Sequence, residues 1–418
     1  LDRRIQALIL AFAFGGFLEA AAGFGTAVAI PIGILAALGF EPLFAAIVCL
    51  AANTVPVAFG AVGIPVVTLS KVTGLPLKTL ALYTALQLLP FVLFLPFFLI
   101  VLTTGSLKGI KGVGAAAAIS GLFFGAGQTL AAWLFGPELS ALAGSFLSLA
   151  GTILWVKIFP VREPWRFRSG IFATAAKKQG MSVVEGIKAW SPYIIMFALI
   201  LATRVVPFFS TLNRAPFELA YLFYRGPGGT PVSLSLLLNP GTIIVVSAIL
   251  GGALQGLGPG GILKTAISTA KQIGRTIITV ISIVSLAKVM GYSGMISSLA
   301  EGIALITGRF FPLISPLIGA LGTFVTGSDT SSNVLFGELQ KQTALRIGAD
   351  ASWMAAANAS GATAGKMVSP QSIAIAASAA GLSGDESSLL RRTMKYSLVF
   401  AILLGALVYA ASKLFFAR

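Results

Sequence analysis

From Ile5 to Phe40 the chain carries one ionisable side chain, Glu19. So uncharged a stretch cannot form water-facing surface, and its length is awkward even for a bilayer, too long for one span and too short for two with a loop. Glu19, Gly23, Gly25 and Thr26 interrupt it in FLEAAAGFGTA. Each arm then has about 14 residues, reaching roughly 21 Å at 1.5 Å per residue against a hydrocarbon core of roughly 30 Å. The expected solution is a re-entrant helical hairpin with a polar tip.

The remainder has the same character. Apolar residues make up 56% of the 418 and charged residues 10%, with mean hydropathy +0.94, whereas soluble chains carry roughly 25% charged residues. Apolar runs at Leu80–Leu102, Val113–Trp133, Leu139–Phe159, Trp190–Phe209, Pro240–Leu257, Thr276–Tyr292 and Ser397–Phe416 each read as a transmembrane helix. The net charge of +16 is dispersed through the short interruptions between them, which fits loops placed by the positive-inside rule and not a nucleic-acid-binding domain. The basic loop from Lys157 to Lys188 is expected to meet anionic headgroups. A single cysteine, Cys49, excludes an intrachain disulfide, and the absence of histidine excludes an imidazole relay or a His-ligated metal. The stretch from Arg3 to Ala22 has a signal-peptide profile, but no polar mature protein follows it, so cleavage is not expected.

A second region repeats the opening plan. Leu313–Val325, the polar TGSDTSSN (Thr326–Asn333) and Val334–Leu345 form two short arms around a tip, and a span at Ala351–Ala380 is interrupted by ANASGATAGKMVSPQS. Correspondingly, the span Phe44–Leu69 follows the first hairpin and is interrupted by ANTVPVAFGAVGIP, whose prolines and glycines unwind a helix. Ungapped alignment of Ala52–Leu69 with Ala357–Ala374 matches Ala52 to Ala357, Asn53 to Asn358, Gly60 to Gly365 and Pro65 to Pro370. Threading the spans, with Ser293–Thr307 as an interfacial helix, brings the two hairpins in from opposite sides and puts most Lys and Arg on one, the cytoplasmic side. The expected fold is an all-α polytopic membrane protein with inverted repeats, each with a re-entrant helical hairpin and a broken transmembrane helix. Residues 1–257 hold the first repeat plus connecting helices, and 258–418 the second, within one membrane domain.

Charges at membrane depth are costly, which marks Glu19 and Asp329 at the two tips and Lys366 in the second break. Around them stand Asn53, Thr54, Ser328, Thr330, Ser331, Ser332, Asn333, Asn358, Ser369 and Gln371. Non-helical backbone at that depth must be buried in protein or line a cavity. Half-helix N-termini, hydroxyls and amides facing such a cavity suit a small anion with polar substituents. Lys366 and the second-tip hydroxyls would hold a carboxylate, and Asn53, Thr54 and Asn358 a hydroxyl or exposed backbone. Glu19 first, and Asp329 second, would carry a coupling proton; Na⁺ held by an acidic tip and backbone carbonyls is the rival use. GLGPGG at Gly256–Gly261 lacks βαβ context, GATAGKM at Gly361–Met367 is one residue short of a phosphate loop, and Asn358-Ala-Ser360 is a glycosylation acceptor at membrane depth. No cofactor or metal is implied. An intramembrane enzyme using Asp329 is a remote alternative, with no HExxH, no GxSxG and no partner aspartate to support it.

FLEAAAGFGTAVAIP, ANTVPVAFGAVGIP, TGSDTSSNVLF and GKMVSPQSIAIA closely resemble, in order, the signature stretches of the L-lactate permease family. The resemblance runs from about Arg3 to the C-terminus. It implies a proton-coupled carrier of lactate and related 2-hydroxy monocarboxylates such as glycolate, multi-pass in the cytoplasmic membrane. It also implies membership of a superfamily in which scaffold and transport domains move against each other. A gluconate, dicarboxylate or other organic-anion carrier of that superfamily is the alternative. Ala20 stands where the family usually has glycine, and the chain opens where the family usually has further N-terminal helices. A fragment, or a reduced transporter completed by a homo-oligomer, would account for that start.

Overall fold

The computed structural model describes residues 2–23, 25–161, 163–165, 182–206, 208, 217–221, 232–382 and 384–415. Most of the Lys157–Lys188 loop, and the end of the Trp190–Phe209 segment, fall outside them. The chain divides into two compact units, Leu1–Thr174 with Ile296–Arg418, and Ala175–Met295.

In the first unit, α1 (Arg3–Ala21) contains a π-helical stretch at Leu8–Phe14 and carries Glu19 in its final turn. Its start is fixed by Asp2, which accepts from the Arg4 N–H at 2.8 Å and pairs with the Arg4 guanidinium at 2.6 Å. Burial pushes the Asp2 carboxyl up, but its bonds to Arg4 and the Trp165 N–H outweigh that and hold it below the usual aspartate range. Next come α2 (Thr26–Ala37), whose N-cap Gly25 is left-handed, and α3 (Pro42–Ala52). A 3-10 turn at Pro56–Phe59 and a left-handed run at Ala61, Val62 and Gly63 precede the rest of α4 (Gly60–Thr73). Then come α5 (Leu77–Thr104), α6 (Gly114–Leu134) and α7 (Pro137–Ile158).

The second unit holds α8 (Val183–Val205), a two-stranded antiparallel sheet of β1 (Glu218–Tyr221) and β2 (Val232–Ser235), α9 (Pro240–Leu254) and α10 (Pro259–Tyr292). Glu218 pairs opposite Ser235. At 15 residues α9 falls short of the spanning length expected for Pro240–Leu257, whereas α10, with 34 residues, extends well upstream of Thr276.

At Ile296 the chain returns to the first unit with α11 (Met295–Thr307), followed by α12 (Phe311–Thr326), α13 (Asp329–Arg346), α14 (Ala351–Val368), α15 (Pro370–Ala379) and α16 (Glu386–Phe415). Phe311, Trp353, Met354, Ala357, Leu404 and Val408 form the core where α12, α14 and α16 meet. Helices α12 and α14 pack backbone to backbone, because a Cβ on Gly361 would strike the Pro316 carbonyl and one on Gly365 the Ala320 carbonyl. In hydrocarbon, where lipid is as apolar as leucine, this small-residue spacing lets dispersion hold helices together.

Among the described residues, eight helices are long and apolar enough to cross a membrane. One of them is Arg3–Ala21, at 19 residues longer than the expected hairpin arm. Between α12 and α13 the expected polar tip shrinks to Gly327 and Ser328. Ser328 accepts from the Ser331 N–H at 3.3 Å as N-cap, so Asp329–Asn333 wind into the first turn of α13. The interruption in the second broken helix is also smaller than expected. Asn358–Lys366 is continuous helix and only Ser369 leaves helical geometry, at ψ 140. The first interruption contains Pro56 and Pro65, the second only Pro370 at its very end, and without an internal proline the Ala- and Gly-rich run keeps its ladder.

Candidate functional site

Glu19 reaches the site from the last turn of α1 and Asp329 from the first turn of α13. Lys366 comes from the last turn of α14. The fold brings these distant segments together: Lys366 acts electrostatically on both carboxyl groups, and Glu19 acts on Asp329. Both carboxyl side chains are buried, at 3% and 4% exposure, a costly placement for charged groups in a bilayer protein. Lys366 is half-buried and donates to the Gly327 carbonyl at 2.6 Å, capping the C-terminus of α12.

The oxygens of the two acids are poorly satisfied. Glu19 Oε2 and both Asp329 oxygens have no hydrogen-bond partner; the polar groups that face them are Asn53 and Thr323 respectively. Asn53 Oδ1 and Thr323 Oγ1 are also buried without a partner. Glu19 Oε1 presses on Gly60, where an added Cβ would sit 2.5 Å away. No larger residue fits there without displacing the carboxyl.

A small cleft of about 170 Å³ of empty space opens beside Lys366, lined by Val28, Leu50, Asn53, Thr54, Lys366, Met367 and Ser372. Its walls come from both breaks. It is too narrow to admit a water molecule, so the site is closed in this conformation. Ser372, absent from the sequence-based set, lines it from the N-terminal turn of α15, where its N–H donates to the Ser369 hydroxyl at 3.3 Å. Its position three residues after a helix-capping serine was the available signal. Thr323 gave no comparable signal, being one of three hydroxyls, with Ser315 and Thr326, on an otherwise apolar helix.

The other polar residues divide by what holds them. Asn333 Nδ2 donates to the Pro65 carbonyl at 3.0 Å, closing a backbone acceptor beside the first break, and Asn333 Oδ1 accepts from Asn358 Nδ2 at 2.9 Å. Gln340 joins the chain through Asn358 Oδ1 at 3.2 Å and Ser315. Ser332 bonds the Gly319 carbonyl at 2.8 Å, and Ser369 bonds Ser372 at 3.0 Å. Ser328 and Ser331 pair in the cap of α13, Thr54 donates to the Leu50 carbonyl, Thr330 is half-buried, and Gln371 is exposed beside Gly327. Among the described residues no group of His, Cys, Asp or Glu could hold a metal ion.

The L-lactate permease of Streptococcus iniae is 44% identical over 85% of this chain and 73% of its own length. That of Bacillus subtilis (strain 168) is 37% identical over 99% and 79%. The glycolate permease GlcA of Escherichia coli (strain K12) is 35% identical over 99% and 79%. Among solved structures the Alcanivorax borkumensis YdaH transporter is a distant likeness, 17% identical at TM-score 0.40 over 95% of this chain and 87% of that one. With relatives named as permeases and eight helices of spanning length, the chain is a multi-pass protein of the cell membrane. The L-lactate permease profile matches residues 1–415, essentially end to end, and the chain belongs to the L-lactate permease family.

Proposed function

We propose that this protein is a secondary transporter, moving lactate or a closely related small 2-hydroxy monocarboxylate across the cytoplasmic membrane with a proton, by alternating access around the cleft. The observation that carries this reading is the electrostatic coupling of Glu19 and Asp329 to Lys366, which lines a cleft shared by both breaks. Lys366 is the positive charge for the carboxylate, supported by the N-terminal turn of α15 at Ser372. Asn53 and Thr54 take the 2-hydroxyl, while Asn333, Asn358 and Ser332 hold the walls in place.

Charge balance supplies the coupling. With both carboxyl groups ionised the cluster is already negative, and an incoming anion would compete with them for the same ammonium. Protonating one of them, Glu19 first, removes that competition, so anion and proton enter together. The closed cleft fits a resting state that must open to load. The two hairpins, each followed by a broken helix, serve as the halves of an inverted repeat whose tips meet at the cleft.

The test is uptake of labelled L-lactate into proteoliposomes under an imposed pH or Na⁺ gradient, with competition by a panel of organic acids. Accumulation driven by the proton gradient and competed by glycolate is the expected result. Accumulation driven by Na⁺ and indifferent to pH would overturn the proton assignment. Glu19→Gln is expected to abolish accumulation against a gradient while leaving lactate exchange measurable.

A further inference from the structure

A second cavity, with about 690 Å³ of empty space against the cleft's 170 Å³, adjoins the cleft. Thr54 and Met367 line both spaces, so two side chains form the partition. The outer wall comes from Phe94 on α5 and from Tyr396, Val399 and Leu403 on α16. Phe94, Val399 and Leu403 are 70%, 56% and 55% exposed on helices of spanning length, so the mouth opens into bilayer hydrocarbon.

One end of this opening is basic. On α16 the wall residues Tyr396, Val399 and Leu403 share a helical face, and Arg392 continues that face one turn toward the helix N-terminus. Arg392 is exposed, as are Arg391 and Lys395 beside it, and Lys395 Nζ lies 4.8 Å from the Tyr396 ring centroid. An apolar slot opening to lipid, with cations at its interfacial end, matches a membrane lipid with an anionic headgroup.

We infer that this cavity binds one acyl chain of an anionic phospholipid, with the headgroup phosphate on Arg392 and Lys395 and the chain lying against Thr54 and Met367. The site is distinct from the charged cleft and faces the opposite side of its partition. Its occupant would back the wall that must move when the cleft opens.

Native mass spectrometry of the full chain, released from nanodiscs of equal phosphatidylglycerol and phosphatidylcholine, tests this. The expected result is one retained lipid, predominantly phosphatidylglycerol. Val399→Trp, which fills the cavity, should remove the adduct. Arg392→Gln, on the exposed surface, should leave the fold intact and lower the preference for phosphatidylglycerol about fivefold. Failure of the wild type to retain lipid would overturn the assignment, as would undiminished retention by Val399→Trp. Equal retention of both lipids in wild type and Arg392→Gln would also overturn it. So would a dimer that Val399→Trp dissociates, because a second copy would then be what covers the slot.

Discussion

The two broken helices interrupt the membrane in opposite styles. Between Asn53 and Gly63 the first runs through a turn, a 3-10 segment and three left-handed residues, two of which, Ala61 and Val62, are not glycine. The second departs from helical geometry at Ser369 alone, and that residue caps the next helix. At the breaks themselves the polar atoms differ likewise, although Asp329 and Thr323 in the second half are also without partners. Asn53 Oδ1 at the first break has no partner, while the Ser369 hydroxyl bonds Ser372. An irregular break held from outside can repack around a ligand, whereas a capped break places a charge, Lys366, at a fixed point. Under the proposed function the halves would do different work, the second anchoring the anion and the first adapting to it.

The largest expected effect tests the anchor. Lys366→Met keeps the side chain's length and removes its charge, and should cut initial lactate uptake by about a hundredfold, the loss of a charge-assisted contact in a dry site. Asn53→Ala, on the adaptable side, should cost only about tenfold. Parallel uptake assays on protein reconstituted to equal density check both. Equal losses would erase the division of labour, and near-normal uptake by Lys366→Met would remove the carboxylate role.

Much of this arrangement was legible before any coordinates. Charge scarcity identified a membrane protein and singled out Glu19, Asp329 and Lys366, because a charge among apolar residues is conspicuous. Their convergence depends on how the helices fold back, which no local pattern records. The extent of the second break was overestimated because a polar, Gly-rich run resembles a loop. In the structure Gly361 and Gly365 are small to let α12 approach, not to unwind α14. Asn333 and Asn358 stood out as polar groups at depth, but the sequence could not reveal that each already holds the other.

A middle-sized effect concerns what holds the irregular break. Asn333→Ala removes the bonds to the Pro65 carbonyl and to Asn358, which keeps Ser332 and Gln340, at a cost of about 0.5–1.5 kcal/mol for each bond lost. Ser369→Ala removes a helix cap, worth about 1 kcal/mol. Thermal unfolding in detergent should therefore place Asn333→Ala below Ser369→Ala. The reverse order would mean that the first break supports itself and the tie from α13 is incidental.

The smallest effect should differ in sign between the halves. Ala61 sits at φ 44, a left-handed conformation that costs a side-chain-bearing residue about 1–2 kcal/mol relative to glycine. Ala61→Gly loses one buried methyl, worth about 0.8 kcal/mol, and relieves that strain, so it should be neutral or slightly stabilising. Ala362 lies within α14, fully buried in regular helix. There the same substitution forfeits the methyl and adds a helix penalty of about 1 kcal/mol. Apparent melting midpoints in one detergent should rise or hold for Ala61→Gly and fall for Ala362→Gly. A fall of similar size in both would show that the first break is not strained, and the contrast between an adaptable half and a rigid one would then rest on hydrogen bonding alone.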